Sequence, residues 1–260
     1  MKGLLLLVFL FSFAEFFAKD LFTIENELVT CVKKINDLKT RPFTSEENFK
    51  NFDSLYNENA RLKALLLDYT ITAPGTISYP FDSLRRYIDI ASSDDNKLRI
   101  YSWYLGRDEE DMGFFINIFQ YEAQGVVYST MINYDDAYDP KGYYSDIHTA
   151  KMGEDTTIYM GYFHAFYTLK DYSESYQTYQ IVGNQLVDSI PIFKMRDSIM
   201  SSIEVLFQPL SQKKYMRKLI HYYPDKKKIR IRQTDNNGIL LTKYSKLIFN
   251  GKQFEYLIED

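Results

Sequence analysis

The sequence predicts a mainly β protein: a large antiparallel meander, formed as a curled sheet, a sandwich or an incomplete propeller, with an N-terminal helical hairpin. Three observations lead there. Between residues 87 and 258, short apolar or alternating runs are separated repeatedly by Gly, Asn and Asp turns. The 260-residue chain holds 23 Tyr and 19 Phe, residue types that suit a half-wet pleated surface. Residues 20–66, in contrast, place apolar side chains at helical spacing.

The first eighteen residues read as a secretory signal peptide. Met1 and Lys2 give a positive start, Gly3 to Phe13 a short apolar core, and Ala14 and Ala18 small residues for cleavage. Cleavage after Ala14 is preferred, because cleavage after Ala18 leaves bulky Phe16 three residues before the cut. The apolar run is too short to cross a bilayer, which takes ~20 residues. About 245 residues remain, enough for a real core. The one cysteine, Cys31, lies too far downstream for lipidation and reads as a buried small apolar residue. An exported chain without paired cysteines, rich in Lys, Asn, Ile and Tyr, suggests a bacterial exported protein; the expected location is the periplasm or cell surface of a Gram-negative bacterium.

Leu21, Ile24, Leu28, Cys31, Ile35 and Leu38 form one helical stripe, with Asp20 as N-cap and Arg41-Pro42 as the stop. Thr44 and Glu47 form a capping box for a second helix, with Phe49, Phe52, Tyr56, Leu62 and Leu66 on one side. The short link predicts an antiparallel hairpin over 19–72, packing on the body of the protein. Ala73-Pro74-Gly75 and Tyr79-Pro80 mark a junction over 73–86.

From 87 to 260 the reading is strands at 87–91, 98–105, 113–121, 126–132, 144–151, 156–166, 175–182, 185–191, 202–208, 217–223, 228–233, 239–249 and 253–258. Turns near residues 94, 124, 154 and 184 recur at a spacing of ~30, a regular hairpin spacing with no residue signature of a true repeat. Asn250-Gly251 is the clearest type I′ candidate. Phe114 to Phe119 is apolar on both faces and is expected to be covered on both sides. In Lys228 to Arg232 the isoleucines should point inward and the bases outward. Thirteen strands are too many for one comfortable open sheet.

Three segments, KLRIYSW (Lys97–Trp103), GFFINIFQY (Gly113–Tyr121) and KLIHYYPDKKKIRI (Lys218–Ile231), resemble a group of uncharacterised secreted proteins of Bacteroidota over about residues 85–258. The resemblance implies export and an all-β body, and no activity. Where such relatives have a Gly-rich stretch after the tryptophan strand, this chain has Gly106-Arg107-Asp108-Glu109-Glu110-Asp111, a departure across which no role for that loop is carried over.

Net charge is −4, which gives no attraction to nucleic acid. It is unevenly spread: Asp82 to Asp155 holds fifteen acids and seven bases, and Lys213 to Arg232 nine bases and one acid. Trp103, Tyr104, Tyr138, Tyr143 and Tyr144 are candidates for stacking on a glycan. Lys226, Lys228, Arg230 and Arg232 are candidates for docking a protein partner. Paired carboxylates for glycoside hydrolysis could come from Asp108, Glu109, Glu110, Asp135, Asp139 or Asp146. The acidic loops 108–111 and 135–139 lack EF-hand spacing, and His148, His164 and His221 lack metal-site spacing. There is no G-x-S-x-G elbow, no phosphate loop and no dinucleotide fingerprint. A Ser-His-Asp set is recognised only in space, and nothing in the sequence points to one. The expectation is an exported, non-enzymatic binding or structural protein, without cofactor, metal or nucleic acid and not integral to a membrane once cleaved. Its rivals are a carbohydrate-active hydrolase and a docking adaptor or inhibitor.

Overall fold

The computed structural model describes residues 20–40, 48–107, 113–132, 142–153, 155–168, 171–195, 197–208 and 218–257. The signal-like segment, the Thr44–Glu47 box, both acidic loops, Tyr138, Lys213, Lys214 and Arg217 lie outside the described residues. The chain divides into two compact units after Tyr87.

The first unit is built on helices α1 (Leu21–Lys39) and α2 (Asn48–Thr72). Asp20 caps α1, its Oδ1 accepting the Phe22 N–H at 2.8 Å. The hydroxyl of Thr23 donates to the same carboxylate and, as the leading cause, holds it below the usual range. Ile24, Leu28, Cys31, Ile35 and Leu38 form the buried stripe. The helices run antiparallel: the Tyr69 hydroxyl donates to Glu27, and Lys34 meets Glu58. Buried Glu25 accepts the N–H groups of Ser83 at 2.7 Å and Leu84 at 3.1 Å. Phe52 and Tyr56 correct the expected apolar side of α2, being 64% and 69% exposed while Leu62 and Leu66 are buried. The six-residue step from Tyr56 to Leu62 turns the helix about a third of a turn off the stripe. Among the described residues no helix is long and apolar enough to cross a membrane.

The second unit is β throughout. Strands β1 (Asp89–Ser92), β2 (Leu98–Arg107), β3 (Gly113–Ala123) and β4 (Val126–Thr130) form a sequential antiparallel sheet. Strands β5 (Gly142–Met152), β6 (Thr156–Phe166), β7 (Tyr172–Val182) and β11 (Ser202–Phe207) form the second, and β8 (Gln185–Asp188) pairs with the later part of β7. Strands β9 (Phe193–Met195), β10 (Ser198–Met200), β12 (Ile220–Tyr223), β13 (Lys228–Thr234), β14 (Leu240–Phe249) and β15 (Phe254–Leu257) form the third, in the order β10-β9-β15-β14-β13-β12.

The second sheet lies in the middle, because side-chain alternation sends its residues into two cores. On β6, Ile158, Met160 and Tyr162 join Ile220, Ile229, Leu247, Phe249 and Phe254 of the third sheet. Tyr159, Phe163 and Ala165 join Leu98, Ile100, Phe119 and Tyr121 of the first. The strand covered on both faces is therefore β6. The expectation for β3 is corrected, since Phe114 to Asn117 are only half-buried. Ile229 and Ile231 point inward as their alternation predicts.

Among the described residues the meander is antiparallel at every pairing but one: β9 and β15 pair in parallel, Phe193 opposite Phe254. Both rings are wholly buried, with centroids 5.8 Å apart, and the Phe254 N–H donates to Ile192 O at 2.7 Å. The hairpin turn with two positive φ angles, as type I′ requires, is Gln124-Gly125 (54° and 78°). Asn250-Gly251 is corrected: only Gly251 is positive, and the Asn250 side chain accepts the N–H groups of Lys252 and Gln253 in an Asx turn.

Candidate functional site

Strands β5, β6 and β7 are adjacent, so a row of side chains can cross them. His164 stands opposite Glu174 in the β6–β7 ladder. In β5 the register shifts: Tyr144 faces Phe163 and Asp146 faces Tyr162, leaving Ser145 as the extra residue of a bulge. A bulge re-aims the side chain it carries. Here the Ser145 hydroxyl lies 2.9 Å from His164 Nε2 and 3.2 Å from an Asp146 carboxylate oxygen.

The rest of the row is held from below and behind. His164 Nδ1 is 3.8 Å from Glu174 Oε1. Glu174 is buried, and its other oxygen accepts the Tyr162 hydroxyl and, at 2.6 Å, the Leu219 N–H. Lys218 pairs with Asp146 at 2.5 Å and sits 5.0 Å from the Tyr162 ring centroid. Burial lowers the His164 pKa to about 4; the Lys218 charge adds to this and Asp146 opposes it. The imidazole is therefore neutral at pH 7, with one donor and one acceptor nitrogen. A proton on Nδ1, toward Glu174, leaves Nε2 to accept the serine hydroxyl at 2.9 Å, in competition with the Asp146 carboxylate, which accepts the same proton at 3.2 Å. Burial also raises the Glu174 carboxyl, against the opposing pull of the Tyr162 hydroxyl, the Leu219 N–H and Lys218.

Beside this row runs a band of half-buried rings. Tyr104 on β2 lies 5.3 Å from Phe115 on β3, and Phe115 lies 5.9 Å from Phe166 on β6 with planes 15° apart. Tyr143 lies 6.1 Å from Phe166, with planes 17° apart, and stacks on His164 at 4.7 Å and 11°. Burial pushes the Tyr143 hydroxyl up to about 12. Phe166 meets Tyr172 edge-on at 5.2 Å, and Tyr172 opens onto a cavity of about 430 Å³ lined also by Tyr167, Asp171, Leu206, Gln208 and Gly238.

Of the aromatic candidates read from the sequence, Tyr104 and Tyr143 belong to this band. Trp103 and Tyr144 do not: they are 3% and 1% exposed, and the Tyr144 hydroxyl is bonded to Tyr179 at 2.5 Å. Alternation puts Trp103 on the opposite side of β2 from Tyr104. The bases are engaged within the chain. Lys228 lies over the Tyr223 ring, Arg230 lies 4.0 Å from the Tyr244 ring centroid, and Arg232 donates to Leu241 O. Lys226 is exposed at the turn before β13. Asp146 is the described member of the proposed carboxylate set, and Lys218 holds it. Among the described residues, no group of three or more His, Cys, Asp and Glu could hold a metal.

Sequence reading missed Ser145 and Glu174 and treated His164 as isolated. Strand pairing was half of the signal: the β6–β7 ladder sets His164 opposite Glu174, whereas Ser145 reaches His164 through the β5 bulge, which the sequence does not mark. Compared with known proteins, the chain matches no family model and no curated protein.

Proposed function

We propose that this is an exported binding protein of the bacterial periplasm or cell surface that receives a glycan along the band Tyr104–Phe115–Tyr143–Phe166–Tyr172. The observation that carries the reading is a run of half-buried rings, near-parallel only where Phe115 and Tyr143 meet Phe166, that leads through the edge-on Tyr172 to an open cavity. Apolar ring faces with polar edges suit sugars, whose own faces are apolar and rims hydroxylated. The tyrosine hydroxyls and Asp171 give polar groups at the margins, and a concave site with few polar groups is the ordinary form of a ligand pocket. Export rests on the signal-like first eighteen residues. The docking reading has less support, because Lys228, Arg230 and Arg232 already have partners in their own chain.

The test is a thermal-shift and calorimetric screen of the protein against defined oligosaccharides. A ligand present at 100 times its dissociation constant adds about 2.7 kcal/mol to stability. Phe166→Ala and Tyr143→Ala, each still folded, should weaken a hit by roughly tenfold, the size of one lost ring contact of about 1 kcal/mol or slightly more. A panel that leaves well-folded protein unmoved sinks the glycan reading.

A further inference from the structure

We propose that Ser145 is a nucleophile for carboxylic esters, with His164 as its base and Glu174 as the residue that positions the imidazole. The inference goes beyond glycan binding and does not depend on it.

Three features carry it. The order of groups is that of an activated hydroxyl: Ser145 Oγ 2.9 Å from His164 Nε2, and His164 Nδ1 3.8 Å from Glu174 Oε1. The second separation is one that resting sites show before substrate tightens them. Next, the outer end is fixed. Tyr162 and the Leu219 N–H clamp Glu174, and Tyr143 stacks on the imidazole, so the ring has one favoured orientation. Finally, the reactive end is reachable: Ser145 stands out of the ladder on its bulge, and the His164 side chain keeps 19% of its surface in solvent. A histidine neutral at pH 7 is in the form a base requires. Lys218 and Ser145 bond the same Asp146 oxygen, so the ion pair stands beside the hydroxyl.

The step balances without a further reagent. Ser145 Oγ bonds to the ester carbonyl carbon as its proton passes to His164 Nε2. The tetrahedral adduct collapses, the ester C–O bond breaks, and the leaving alkoxide takes the proton from His164. Water then attacks the acyl-serine by the same route, releasing the carboxylic acid and returning the proton to Ser145. Ser145 and His164 are the catalytic residues, and Glu174 acts through His164.

The full chain is treated with a fluorophosphonate probe, the adduct is mapped by peptide mass, and release of 4-nitrophenol from 4-nitrophenyl acetate is followed. The expected results are an adduct on Ser145 and loss of at least about 100-fold in rate in Ser145→Ala and His164→Asn. Glu174→Gln should displace the acid limb of the pH–rate profile, and Glu174→Asp should restore it in part, neither of which follows from a change in folding alone. Ser145→Ala exchanges one small residue for another and keeps the experiment decisive if the other variants fail to fold. Folded protein without an adduct on Ser145, or Ser145→Ala turning over the ester at the wild-type rate, overturns the proposal. The oligosaccharide shift is measured on Ser145→Ala as well, so the binding reading stands or falls separately.

Discussion

Gly161 has no room for a side chain. A Cβ there would lie 2.9 Å from the ring of Tyr144 and 3.3 Å from that of Tyr179, both buried between the first and second sheets. Gly161→Ala should therefore cost about 1–3 kcal/mol by overpacking, read as a lower midpoint in denaturant with an unchanged slope. His164 gives a pH prediction with a definite sign. Its folded pKa, about 4, lies below the ordinary 6.5. The unfolded chain therefore takes the proton first, and stability present above pH 6.5 is lost as pH falls toward 4. The loss is on the order of 2–3 kcal/mol for a group so placed. Glu174, raised by burial, acts in the opposite direction, and His148 and His221, both lowered by burial, act in the same one. Denaturation at pH 7 and pH 4.5 should thus show a smaller drop in His164→Asn than in wild type. Equal drops would remove His164 from the account. None of this was legible residue by residue. A Tyr reads alike whether it lines a band, as Tyr143 does, or fills a core, as Tyr144 does, because one step along a strand changes the face.

Elements were more legible than residues, since each hairpin carries its own turn chemistry. The exceptions have local causes. Strands β9 and β10 are three residues each and follow Pro191, too short for alternation to register. The sequence marks a turn near residue 124 but not its type I′ form, because glutamine seldom accepts a positive φ, whereas Asn250 uses its side chain in place of that backbone conformation. Two substitutions test elements. A Cβ on Gly142 would stand 1.8 Å from His164 O, backbone that cannot yield. Gly142→Ala should push β5 from β6, cost at least about 2–3 kcal/mol, and raise amide exchange along 142–148 ahead of the far end of the hairpin. Full protection at 142–148 would refute it. Asp20→Ala removes the acceptor at the start of α1 and should cost about 1 kcal/mol, seen as lower helicity by circular dichroism.

At the scale of the molecule, the division into two compact units predicts separable behaviour. Residues 88–260 expressed alone should keep a β-type far-UV spectrum and unfold cooperatively, because the two described clusters on either face of the second sheet draw on no residue before Ile88. A molten product would show that the division after Tyr87 is not one of stability. The mainly β class and the helical start were readable from periodicity. The three-layer order was not, because nothing in a strand's own sequence says which sheet will lie against it. The parallel pair β9–β15 has a further consequence, in time. Among the described pairings most join strands linked by a turn and β7–β11 spans 25 to 35 residues, whereas Phe193 must wait until the chain has reached Phe254. Closing so long a loop costs entropy before any contact rewards it. The hairpins should form early and this seam last, so that Phe193→Leu speeds unfolding and scarcely slows folding, the signature of a contact absent from the transition state.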